Sequence, residues 1–332
     1  MGCNERGLCF AAAHTIASAE LQGHVISPAT LWPTALGVGF LTAGIWTYRR
    51  DLVRESSNAE TRLVALGPVL VAAALAAFAG EHFTAARSLA QLVPKWMPAR
   101  LFIAYFVGFA HLAAALSFVA RRCIRWSAFF LALMFALFVL LLHLPGAVRH
   151  PAMRIAWIVS VRETTFTMGA LALFAAAVGV RSPRLSSRLA ATARVWTALV
   201  LIFFGIENIL YPQFSPGVPD TMPTASWVPL PLVIAYLTGF MLIAFGIAML
   251  VHKYAASGGT FAGLLMVLLT LVLYVPQFFL ARNVPDRVTA INFIFDTLLF
   301  AGTMLVISKA ILDWETLPLA ANRGQGQVAG SG

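Results

Sequence analysis

Nine stretches of mostly apolar residues constrain this 332-residue chain more than any other feature. Each is close to the twenty or so helical residues that cross a bilayer core at about 1.5 Å per residue. They lie at about 29–48, 62–83, 99–120, 125–145, 154–180, 192–212, 229–251, 259–281 and 289–311. None shows the alternation of an outer-membrane barrel strand. Charged residues make up 11% of the chain, against roughly 25% in an average soluble domain. The expected fold class is all-α, a polytopic membrane protein in a lipid bilayer.

The net charge of +10 would suggest nucleic acid in a soluble chain. Here the basic residues sit in short loops between apolar runs, so membrane topology explains them and no nucleic-acid partner is expected. Arg49, Arg50, Arg54 and Arg62 form one basic group, Arg121, Arg122 and Arg125 the next, then Arg181, Arg184, Arg188 and Arg194. These fall on alternate loops, and Lys253 and Lys309 continue the series. The stretch 213–228 has no Lys or Arg. The pattern predicts a cytoplasmic (inner) membrane protein with its N-terminus outside and its C-terminus in the cytoplasm.

Residues 1–28 show neither a basic start with an apolar signal core nor a myristoylation pattern, and no function is assigned to them. Residues 313–332 are rich in Gly, Ala and Gln and read as a disordered cytoplasmic tail. Cys3, Cys9 and Cys123 form no CxxC, so neither a disulfide framework nor a thiol relay is expected.

The chain also matches itself. Trp96–Pro145 aligns without a gap on Trp227–Pro276, 131 positions later, with fifteen of fifty residues identical. Among them are Trp96/Trp227, Pro98/Pro229, Tyr105/Tyr236, Gly108/Gly239, Phe109/Phe240 and Pro145/Pro276. Upstream, Glu81-His82 falls on Glu207-Asn208; downstream, Arg154, Glu163, Thr164 and Gly169 fall on Arg287, Asp296, Thr297 and Gly302. A self-match of this length points to a duplicated unit. The expected organisation is an N-terminal segment with one helix (1–61), a four-helix unit at 62–180, a second at 192–311, and the tail at 312–332. Four spans per unit is even, so the copies run parallel rather than as an inverted repeat.

Ionisable residues inside spans are costly and need a reason. Glu81, His82, His111, His143, Arg162 and Glu163 lie in the first copy, and Glu207, Asn208, Tyr274, Asn292 and Asp296 in the second. Read against the topology, most share the outer half of the membrane. Two candidate polar pockets follow: Glu81, His82, Tyr105, His143 and Glu163, and Glu207, Asn208, Tyr236, Tyr274 and Asp296. The carboxylates fit either a structural ion pair or a ligand-binding, proton-handling group. Arg162 does not share a helix face with Glu163, and snorkelling outward is open to it. Tyr105 and Tyr236 suit interfacial anchors as well as pocket walls, and Gly108 and Gly239 suit close helix packing. The outer loops, Val93–Pro98 and Tyr211–Pro229, suit the headgroup region or a lid. His82 and His143 could geometrically flank a haem, but no metal or haem motif is present and neither cofactor is expected.

These residues resemble the DoxX and DoxX-like membrane family. The resemblance rests on Glu81-His82, Val93-Pro94 with Trp96 and Pro98, Tyr105 with Gly108, His143-Leu144-Pro145, and Glu163 with Gly169. It recurs in Gly205-Ile206-Glu207-Asn208, Trp227 with Pro229, Tyr236 with Gly239, Tyr274-Val275-Pro276, and Asp296 with Gly302. Family members usually carry one such unit, and this chain looks like two fused. The resemblance implies a membrane subunit tied to quinone-linked redox chemistry, with a quinone as the candidate ligand and a soluble or membrane redox partner. Fold likeness does not transfer an activity. A small-solute or proton transporter and an assembly partner of a soluble enzyme stand as alternatives.

Overall fold

The computed structural model describes residues 27–54 and 59–328, with side chains over 27–53 and 59–313. The expectations for residues 1–26, including Cys3 and Cys9, and for the Arg54 side chain lie outside the described residues.

Among the described residues nine helices are long and apolar enough to cross a membrane. α1 is Pro28–Arg54. α2 is Ala59–Thr84, broken between Val64 and Gly67. α3 is Arg100–Ala120 and α4 Ile124–Arg149. α5 is Arg154–Val178, α6 Pro183–Leu210 and α7 Pro231–Leu250. α8 is His252–Leu280 and α9 Val284–Val328. The chain is an all-α polytopic membrane protein.

Several boundaries differ from the hydropathy reading, some for a clear local reason. α6 begins at Pro183, nine residues before the apolar run, because Arg184, Arg188 and Arg194 interrupt hydropathy without interrupting a helix. Pro183 sits where its missing N–H is not needed. α4 continues past Pro145 to Arg149, four residues beyond the expected end, while α8 passes Pro276 and ends at Leu280, as its apolar run does. In both, a π turn precedes the proline, at Val139–His143 and Thr270–Tyr274. The wider turn accommodates a ring that would clash with the carbonyl four residues back. α9 stays helical to Val328, across the stretch whose composition suggested a tail. Its Leu, Ala, Glu, Arg and Gln are good helix formers.

α2 and α9 are the most buried spans and α1 and α4 the least. The central helices approach closely through small residues. Ala72, Ala73, Ala74, Ala76 and Ala77 of α2 are fully buried. A Cβ on Gly67 would stand 2.8 Å from the Val306 nitrogen, and one on Gly302 2.8 Å from the Val71 nitrogen. Such contacts bring backbones together where lipid offers no hydrophobic drive. The outer helices turn Phe102, Phe106, Phe109, Phe130, Phe240 and Phe261 outward, an apolar belt suited to acyl chains.

The spans from α2 to α9 pack in consecutive pairs. α2 packs on α3 and α4 on α5; α6 packs on α7 and α8 on α9. α5 then packs on α6, α9 packs on α2, and α5 and α9 pack on each other. Each run of four thus places its last helix against the first helix of the other. Local details recur at the sequence offset of 131. The π turns do, and so do Ala99 and Leu230, both left-handed at φ 50° and 46° just before α3 and α7. Left-handed backbone at a residue with a Cβ costs roughly 1–2 kcal/mol, so its recurrence at matched positions marks the same entry geometry. α1 lies along α2, with Gly80 under Pro33 and Gly44 under Val69.

Candidate functional site

The polar residues of the spans meet where α5 and α9 cross, at the end of the protein where α2, α4, α6 and α8 finish. Glu163 lies nine residues into α5 and Asp296 twelve into α9, so roughly 13 Å and 18 Å from those helix starts at 1.5 Å per residue.

Arg162 is at the centre. One guanidinium nitrogen donates to Asp296 Oδ2 at 2.8 Å, and another stands 3.9 Å from Glu163 Oε1. The arginine is 12% exposed and Asp296 16%. The expectation that Arg162 could snorkel outward is corrected: its partner lies 134 residues away on α9, which a reading of α5 alone cannot reveal. A buried guanidinium is retained only with such partners. Asp220, from the loop between α6 and α7, and His143 also lie within electrostatic range of Arg162.

Glu81, on the last turn of α2, faces α9. The Asn292 carboxamide has one terminal atom 3.0 Å from both Glu81 carboxylate oxygens, and with its nitrogen there it donates to both. Arg154, at the start of α5, donates to Glu207 Oε2 at 2.6 Å and to the Asp220 carbonyl at 2.6 Å. Its guanidinium also lies 4.3 Å from the Tyr211 ring centroid, a cation–π contact. All three links join the two halves of the chain. The candidate pockets expected within each half are therefore regrouped: Glu81, Glu163 and Asp296 belong to one central cluster, and Glu207 belongs to a neighbouring ion pair.

Asn208 and Tyr274 hold a loop. Asn208 Nδ2 donates to the Gly217 carbonyl at 2.9 Å, and the Gly217 N–H donates back to Asn208 Oδ1 at 3.0 Å. Tyr274 donates to the Pro216 carbonyl at 2.6 Å. Residues 215–219 are buried, so this loop dips into the protein. Gly217 has φ +109°, a conformation that favours glycine. Between headgroup and lid, this loop takes neither form alone: Trp227 is 39% exposed while Val218 and Val228 are buried.

In the first half, His82 Nδ1 lies 2.9 Å from the Ala104 carbonyl. His111 is 4% exposed with neither ring nitrogen partnered, and its ring centroid is 5.5 Å from that of His82. His143 makes no hydrogen bond among the described residues. Tyr105 and Tyr236 are not in the cluster; both face outward, 39% and 41% exposed. Gly108 and Gly239 serve packing: a Cβ on either would stand within 3.4 Å of the His82 or Asn208 Cβ respectively. Among the described residues no three His, Cys, Asp or Glu side chains are grouped to hold a metal. No protein-family model, no curated protein and no solved structure matches this chain.

The sequence reading named Arg162 and Asn292 among the polar residues of the spans but placed neither in a pocket, and it missed Arg154 and Asp220. Arg154 and Arg162 had a signal: eight residues apart, they fall on one face of a helix. Asp220 had none, because a loop carboxylate far from any span carries no periodicity.

Proposed function

We propose that this chain is a DoxX-like membrane subunit, built from two fused copies of a four-helix unit, that supports quinone-linked redox chemistry. The observation that carries this reading is the cluster of Arg162, Asp296, Glu163, Glu81 and Asn292 between the two copies. Quinones travel in the acyl region and exchange protons when their redox state changes. A site for one needs donors for carbonyl oxygens and groups that take up protons at membrane depth. Arg162 and Asn292 supply donors, and the carboxylates and His143 supply proton acceptors. Fusion of the copies fixes a pairing that separate chains would make as a homodimer. Alternate basic loops support an inner-membrane location with the cluster toward the outer side.

The test is to purify the protein in mild detergent, identify co-extracted lipophiles by mass spectrometry, and titrate a short-chain benzoquinone. A bound quinone, or saturable binding weakened by Glu163→Gln, is expected. No bound quinone, no saturable binding and no effect of Glu81→Gln or Glu163→Gln in cells would sink the reading.

A second reading is transport of protons or a small solute, favoured by the surplus of carboxylates over arginine in the cluster. Proton flux into liposomes that depends on the protein, with no quinone binding, would select it.

A further inference from the structure

The two halves treat the ends of their first and third helices differently. In the second half, Asn208 and Tyr274 engage the uncharged Pro216–Gly217 peptide: two carbonyl oxygens and one N–H, at 2.6–3.0 Å. The aligned first-half residues are His82 and His143. Their own loop, residues 85–99, makes no hydrogen bond to either among the described residues. His82 is oriented by the Ala104 carbonyl. A carbonyl only accepts, so Nδ1 carries the proton and Nε2 is left as an acceptor. Beside it stands His111, 4% exposed with both nitrogens unpartnered. The second half has Leu242 there, fully buried. A buried imidazole without partners is anomalous unless something else meets it.

We propose that His82 and His143, placed by their match to Asn208 and Tyr274 and with His111 beside His82, form a site for an uncharged lipophilic ligand bearing hydroxyl groups. The second half has no such site, because its own loop peptide occupies the matching place. This rests on the quinone reading above and sharpens it. An Nε2 that accepts calls for a ligand hydroxyl, so the reduced quinol is preferred over the quinone. One ligand binds per chain, in the first half.

The experiment is equilibrium binding of a short-chain benzoquinol and its quinone to the full chain in detergent. It compares wild type with the double variant His82→Asn/His143→Tyr. These are the residues the second half carries, so helix packing should tolerate them. Wild type should bind one quinol per chain, at least fivefold tighter than the quinone, and the double variant at least tenfold weaker. Should the double variant not fold, His82→Gln and His143→Gln singly carry the same threshold. Unchanged quinol affinity in the histidine variants, or two sites per chain, would overturn this site while leaving the quinone reading standing. Absence of any quinol or quinone binding to wild type would overturn both.

Discussion

Replacing Arg162 by methionine tests whether the central cluster holds the two halves together. The substitution removes the donor 2.8 Å from Asp296 and the charge 3.9 Å from Glu163, and leaves the chain's shape nearly unchanged. Exposed ion pairs are worth about 0–1 kcal/mol. Breaking a buried one costs about 3–5 kcal/mol, mainly because a charge is left unpaired. Arg162 and Asp296 are 12% and 16% exposed, so the buried figure applies at its lower end, about 3 kcal/mol. The second arm adds Asp296→Leu, which removes the orphaned charge. If the cost is an unpaired charge, the double variant should recover about 2 kcal/mol relative to the sum of the singles. The assay is reversible unfolding in mixed micelles followed by tryptophan fluorescence. A loss below about 1 kcal/mol for Arg162→Met, or strict additivity in the double variant, would refute the argument.

Other outcomes follow from single contacts. Gly205→Ala should destabilise by about 1–3 kcal/mol, since its Cβ would meet the Gly239 carbonyl oxygen at 2.6 Å. Gly39→Ala, with nothing within 4 Å, should be neutral or gain up to about 1 kcal/mol in helix propensity; equal thermal shifts for the two would contradict the packing account. Tyr274→Phe removes the 2.6 Å bond to the Pro216 carbonyl and should cost about 1 kcal/mol. It should also raise deuterium uptake across residues 213–220, and unchanged uptake would show that the loop is held elsewhere. His111→Leu, the residue of the second half, should stabilise the ligand-free protein by about 1–3 kcal/mol by removing an unpartnered buried imidazole. A drop in melting temperature would mean that the imidazole has a partner after all.

Much of the architecture was legible beforehand. The spans were visible because a bilayer imposes a length, and the prolines and basic residues shifted their ends by only a few turns. Trp96 with Trp227 and Pro145 with Pro276 define an offset of 131 positions, and two left-handed residues and two π turns are spaced by the same offset. The membership of the site was less legible. Glu81, Glu163 and Asp296 could be flagged because a charge in an apolar run is conspicuous, yet their partners could not be named. Tyr105 and Tyr236 were grouped with them by depth alone. Depth does not specify which way a side chain points, and both point outward.

The sequence by itself determined the all-α membrane class, the number and placement of the spans, and the self-match at 131 positions. These follow from periodicity, length and composition, which are local properties of the chain. Only the tertiary structure decided that Arg162 finds Asp296 across 134 residues, that Asn292 meets Glu81, and that the loop after α6 turns inward to Asn208 and Tyr274. The reason is physical. In lipid, apolar faces do not choose their partners, so helix order is set by close approach at small residues and by a few polar contacts between helices far apart in sequence.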